Sequence, residues 1–147
     1  MRIYIETEVE NDIEKVWKRF DKQLFIELSP LFPKVNILRF DGCQKDDVVK
    51  LEINFVFSKQ LWESYISENV VNENSCYFTD VGRTLPFFLK SWNHQHLLIK
   101  KGEKTLIIDN ITFQSFGFLM NFLIYPMLYL QFWMRKPIYK KYFRKTI

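Results

Sequence analysis

Cysteine, histidine and glycine are scarce in this 147-residue chain, with two, two and four respectively. Cys43 and Cys76 lie far apart and form no C-x-x-C, so two free thiols are expected rather than a disulfide framework or a redox pair. So few glycines, beside 15 phenylalanines, exclude collagen-like, low-complexity and disordered classes. No internal repeat is present. Also missing are a G-x-G-x-x-G, a Walker loop, an H-E-x-x-H and a G-x-S-x-G, the signatures of common nucleotide, metalloprotease and hydrolase sites. The first residues, MRIYIETEVEN, hold no apolar core of a secretory signal. A cytoplasmic location with reduced thiols is the expectation, with membrane association as a variant of it.

What is abundant is apolar and aromatic. Aromatics make up 18% of the chain, and the length suits one domain over 1–147 with a core of its own. The net charge of +4 misleads. Arg135, Lys136, Lys140, Lys141, Arg144 and Lys145 place +6 in an acid-free tail, which leaves −2 for residues 1–134. Nucleic acid is not an expected partner, because a mildly acidic body offers no broad basic footprint. The tail suits a helix C-terminus or an anionic lipid surface.

Period two governs most of the chain. Over Arg2–Glu10, Ile3, Ile5, Thr7 and Val9 share one face, as in a half-buried strand. Asn11-Asp12 then caps a helix in which Ile13, Val16, Trp17 and Phe20 share an apolar stripe. A second short helix runs through Gln23–Leu28 and stops at Ser29-Pro30. Strands follow over Val35–Phe40, Val48–Phe57, Leu61–Val70, Cys76–Val81, Trp92–Lys100 and Thr105–Gln114, with a loop at Arg83–Lys90. Gly102-Glu103 suits a two-residue hairpin turn. Six consecutive strands make an antiparallel meander, and the first strand can pair at its far edge. The expected fold is α+β: a curved seven-stranded antiparallel sheet wrapped around a long C-terminal helix, with two short helices between strands 1 and 2.

The stretch Phe116–Met134 holds 15 residues of the set Phe, Leu, Ile, Tyr, Trp and Met in 19 positions. That length could cross a membrane. Pro126, Asn121 and Gln131 inside it, and Ser115 and Gly117 at its start, favour shorter helical pieces. The C-terminal helix is placed at Met127–Phe143, about 25 Å long. The stretch is apolar nearly all round, so its outer face calls for a further contact: the preceding loop, a peripheral membrane surface, or a second copy in a homodimer.

The segment LPFFLKSWNHQHLLIKKGEKTLIIDNITF, Leu85–Phe113, resembles the W-x-H-x-H, Gly-x-x-T and strand-Asp pattern of bacterial START-like proteins. These belong to the Bet v 1-like, polyketide-cyclase and lipid-transfer superfamily. The resemblance covers the whole chain and implies the helix-grip fold, with binding of a small hydrophobic or amphipathic ligand, or cyclase or aromatase chemistry. It also implies an uninterrupted, charged final helix; Pro137 and the uncharged first half of this one depart from that pattern.

The hairpin turn fixes a register in which Lys101 pairs with Lys104 and His96 falls opposite Asp109. Trp92, His94, His96 and Leu98 then share the apolar inner face with Ile107, Asp109, Ile111 and Phe113. Three readings stay open for His94, His96 and Asp109: a satisfied polar pair of His96 with Asp109, an anchor for a ligand's polar head, or a histidine acting as general acid or base. They could also supply three metal ligands, but nothing else in the chain suggests an open metal centre. Neither a metal nor a cofactor is expected. Phe55, Phe57, Trp92, Phe113, Tyr125 and Tyr129 read as inward aromatics, lining either a core or a ligand cavity. Arg83 sits in the loop at the expected cavity mouth.

Overall fold

The computed structural model describes residues 1–145. In chain order its elements are β1 (Arg2–Val9), α1 (Ile13–Lys18), α2 (Lys22–Leu28), β2 (Lys34–Phe40), β3 (Val48–Phe55), β4 (Ser58–Val71), β5 (Ser75–Thr84), β6 (Ser91–Lys101), β7 (Lys104–Gln114), α3 (Phe118–Trp133) and α4 (Arg135–Tyr142). The strands form one antiparallel sheet in the order β1-β7-β6-β5-β4-β3-β2. The meander and the return of β1 to its far edge are as the sequence pattern predicts.

Local chemistry explains the elements. Strand β1 alternates strictly, burying Ile3, Ile5, Thr7 and Val9. The Asp12 and Asp21 side chains each accept a backbone N–H of the helix they precede, from Lys15 and Leu24, which satisfies a donor that the first turn leaves free. At the β6–β7 turn Gly102 takes a positive φ of 63°, which glycine adopts without a Cβ penalty. The register is the expected one: Lys101 faces Lys104, and His96 faces Asp109.

Three boundaries differ from expectation. Strand β3 ends at Phe55 and β4 begins at Ser58, with Phe55 paired to Ser58. Val56 and Phe57 therefore form a tight turn, although neither is a residue type that signals one. Strand β5 runs on to Thr84, so Arg83 belongs to a strand and not to a loop. The C-terminal helix starts at Phe118 rather than Met127, and it is two helices abutting at Met134. Pro137 has no N–H to offer the Trp133 carbonyl and its ring crowds that carbonyl, which breaks the ladder there. Pro126 is accommodated inside α3 because it lies on the exposed side, where water can take the freed Phe122 carbonyl.

Two apolar clusters fill the concave side of the sheet. In one, α1, α2 and α4 bring Ile13, Val16, Phe20, Leu24, Tyr139 and Phe143 onto Phe78, Leu98 and Ile107. In the other, Ile124, Leu128 and Phe132 of α3 meet Ile3, Ile5, Trp92, Ile111 and Phe113. Among the described residues no helix is long and apolar enough to cross a membrane. Both cysteines are free, and burial pushes the Cys43 thiol up to about 12, helped by the nearby carboxylates of Asp80, Asp47 and Asp21.

Candidate functional site

Between the two apolar clusters lies a buried knot of charge. Strand pairing places it: His94 pairs with Asp80 across β5–β6, and His96 with Asp109 across β6–β7. Trp92, His94 and His96 alternate on the inner face of β6, with Asp80 and Phe78 beside them on β5. From above, α4 adds Arg135 and Tyr139 at helical i, i+4 spacing.

The contacts are close. His94 Nε2 is 2.9 Å from Asp109 Oδ1, and His94 Nδ1 is 3.5 Å from Asp80 Oδ2. His96 Nε2 is 3.2 Å from the same Asp80 oxygen. Trp92 Nε1 donates to the other oxygen, Asp80 Oδ1, at 3.1 Å. Tyr139 donates its hydroxyl to Asp109 Oδ1 at 3.4 Å. The Arg135 guanidinium stands 3.9 Å from that oxygen and over the Phe132 ring, 4.1 Å from its centre. The two imidazoles lie against each other with centres 3.7 Å apart and planes tilted by 34°, and His96 stacks on Phe78 at 4.4 Å.

Burial and charge set the protonation of this knot. Burial alone would raise the Asp80 carboxyl, but the His96 hydrogen bond and the neighbouring His94 outweigh it and hold it below the usual carboxylate range. Burial likewise opposes ionisation of Asp109, and it is outweighed by the hydrogen bond and charge of His94 and then by Arg135. His96, only 2% exposed, moves the other way: burial, then the proximity of His94, push it down to about 4 against the pull of Asp80 and Asp109. Burial, with Asp109 alongside, pushes the Tyr139 hydroxyl well up. The knot therefore combines two carboxylates, a guanidinium and a neutral imidazole inside an apolar shell, an environment that is costly unless its groups satisfy one another.

Of the residues singled out in the sequence, the structure brings together Trp92, His94, His96 and Asp109. Phe113 is buried next to them in the α3-side cluster. Tyr125 is half-buried and stacked with Phe113 at 6.5 Å. Phe55 is half-buried, edge-on to Phe88 at 6.0 Å. Three do not join. Phe57 is 99% exposed at the β3–β4 turn, because the two-residue turn ends the alternation before it. Tyr129 is 41% exposed; the buried stripe of α3 is Ile124, Leu128 and Phe132 at i, i+4, i+8, and Tyr129 falls one step off it. Arg83 is exposed, bonded to Glu63 at 3.4 Å and lying over the Tyr65 ring.

Sequence reasoning missed Asp80, Arg135 and Tyr139. Asp80 carried a usable signal, since period two puts it on one face with Cys76 and Phe78. Arg135 was hidden in the run of tail cations. Two surface depressions, of about 380 and about 540 Å³, lie beside α1 and are lined by residues such as Lys15, Lys18 and Arg144; neither lies between the sheet and α3.

No family model matches the chain, and no curated protein does. Solved structures do. The chain is similar to norcoclaurine synthase from Thalictrum flavum in complex with dopamine and hydroxybenzaldehyde, at TM-score 0.61 and 14% identity over 86% of this chain and 76% of that one. It is similar to the Zhui aromatase/cyclase of a Streptomyces species, at TM-score 0.56 and 16% identity over 80% and 70%. It is also similar to a hypothetical protein of Helicobacter pylori, at TM-score 0.70 and 12% identity over 98% and 88%. At such identities the likeness is one of architecture: the chain has the Bet v 1-like, helix-grip fold.

Proposed function

We propose that this protein binds a small amphipathic molecule between the inner face of the sheet and α3, with the molecule's polar end at the charged knot. The observation that carries this reading is a set of buried polar atoms without a partner: His96 Nδ1, Arg135 Nε and Thr7 Oγ1. Buried polar atoms are rarely left so, and each one costs about 1–3 kcal/mol. Thr7 lies on the same inner face, two residues along β1 from Ile5, which pairs with Asp109. A ligand oxygen would satisfy the guanidinium N–H, and a ligand hydroxyl could meet the imidazole.

The apolar body would lie against Trp92, Phe113, Tyr125 and Phe55, with His94, His96 and Asp109 orienting the head. Space for it comes from α3. That helix is held by three buried side chains, worth about 5–9 kcal/mol together by transfer of apolar area, and it is preceded by Gly117, whose φ is 107°. The dopamine and hydroxybenzaldehyde bound by norcoclaurine synthase are molecules of the class intended here.

Native mass spectrometry of the protein as purified, with saturable binding of anilinonaphthalene sulfonate, tests the reading. The expected result is a co-purified small molecule, or a probe displaced by aromatic or aliphatic carboxylic acids and phenols. Arg135→Leu should weaken binding of the acids about tenfold, the loss of one charge-assisted hydrogen bond. A protein that carries no small molecule and shows no saturable probe binding rules the reading out.

A further inference from the structure

Three donors of the knot stand at the spacing of a coordination sphere. Asp80 Oδ2 is 3.2 Å from His96 Nε2 and 3.5 Å from His94 Nδ1. Asp80, His94 and His96 each offer one donor atom that lies within 4.8 Å of those of the other two. Ligands held about 2.0–2.1 Å from a tetrahedral zinc-class ion stand roughly 3.3–3.4 Å apart, so these two separations bracket a tetrahedral edge. We infer that Asp80, His94 and His96 form a binding site for a divalent first-row transition ion, with one coordination position left open.

Two of the three ligands already have the supporting hydrogen bonds such a site requires. Metal-bound histidines donate their second ring nitrogen to a carboxylate or carbonyl, which fixes tautomer and orientation. His94, binding through Nδ1, has Nε2 on Asp109 at 2.9 Å. Asp80, binding through Oδ2, has Oδ1 held by Trp92. His96, binding through Nε2, would carry its proton on Nδ1. That atom is the unpartnered one, and Asp109 Oδ1 lies 3.8 Å from it. Ligation at Nε2 would thus leave a proton on Nδ1 facing the Asp109 carboxylate, at a separation longer than a hydrogen bond.

The charges also fit. Asp80, Asp109 and Arg135 sum to −1 when both imidazoles are neutral. Arg135 repels a cation, but the carboxylate it pairs with is that of Asp109, which is not one of the ligands. A divalent ion brings the set to +1, so the open position favours an anionic oxygen such as hydroxide or carboxylate. Imidazole with carboxylate suits zinc, cobalt and iron rather than calcium or magnesium. The site stands whether or not an amphipathic molecule binds under α3.

The test is titration of untagged, chelator-stripped protein with cobalt(II). The expected result is one equivalent bound, with the intense visible absorption of a four-coordinate ion, and displacement by zinc(II). The chain contains two histidines, so hyperfine-shifted exchangeable imidazole N–H resonances in the cobalt form must come from this site. Their appearance supports the proposal without any substitution. His96→Gln and Asp80→Asn, checked for folding by circular dichroism, should each abolish stoichiometric binding. Asp109→Asn, which keeps all three ligands, should weaken it about 10–100-fold. Folded wild-type protein that takes up no stoichiometric cobalt overturns the inference. So does cobalt binding that persists unchanged in His96→Gln and Asp80→Asn, or that yields no shifted imidazole protons.

Discussion

The two helices of the C-terminal segment differ in a way that inverts their composition. Helix α3 is almost wholly apolar over 16 residues, yet it buries only Ile124, Leu128 and Phe132. Helix α4, RKPIYKKY, is half cationic, yet its Tyr139 and the following Phe143 are 0% exposed. The difference lies in how many layers surround each helix. Helix α4 is covered on two sides: the sheet lies beneath, and α1 and α2 close over Tyr139 and Phe143 through Phe20, Val16 and Leu24. Helix α3 has the sheet on one side only, so its remaining apolar residues stay outside however hydrophobic they are. Burial here is decided by enclosure, and apolarity is permissive.

The strongest way to break that comparison is to empty the enclosed side. Phe143 stacks on Phe20 at 5.8 Å and meets Tyr142 edge-on at 5.2 Å. Phe143→Ala should destabilise the fold by about 3–5 kcal/mol, the range for deleting a buried aromatic ring. Urea unfolding measures it. A loss below about 1 kcal/mol would show that the last turn is not packed as described.

Acid sharpens the comparison next, because the charged knot lies under α4. His96 has a folded value near 4 against an ordinary 6.5, so the unfolded chain takes up a proton first as pH falls. Its contribution to stability is therefore whole above about pH 6.5 and is lost between about 6.5 and 4, on the order of 3 kcal/mol. Asp80 and Asp109, held below the ordinary 3.8, contribute above that value and lose their contribution as pH falls through their folded values. The loss thus continues below about pH 4. Urea midpoints should fall steadily from pH 7 downward, and His96→Gln should flatten the upper part of that fall. A midpoint constant down to pH 4.5 would mean that His96 is not buried as a neutral ring.

The same contrast explains what was legible in the sequence. Strands with a two-residue period announced themselves, and one glycine turn fixed the register that sets His96 opposite Asp109. Half of the knot was therefore readable. The other half depends on contacts that no local pattern encodes. Asp80 reaches His94 only because β5 pairs with β6 in one particular register. Arg135 reaches Asp109 only because α4 docks where it does, and by composition it is one tail cation among six. Phe57 and Tyr129 read as inward because periodicity was extended past the points where the β3–β4 turn and the narrow stripe of α3 interrupt it. Pro137 marked a break in the last helix, and the break is there.

The smallest expected effect lies on the outer face of α3. Leu119 and Leu123 are 74% and 63% exposed, one helical turn apart, and neither belongs to a buried cluster. Replacing both with Gln keeps helix propensity close to that of Leu and removes little buried area. Stability should change by no more than about 0.5 kcal/mol, as for surface positions generally, despite the loss of two leucines from the segment. Urea unfolding of the double variant beside Phe143→Ala places both helices on one scale. If the α3 variant lost as much as the α4 variant, enclosure would not be what separates them, and the outer face of α3 would be covered in the folded protein.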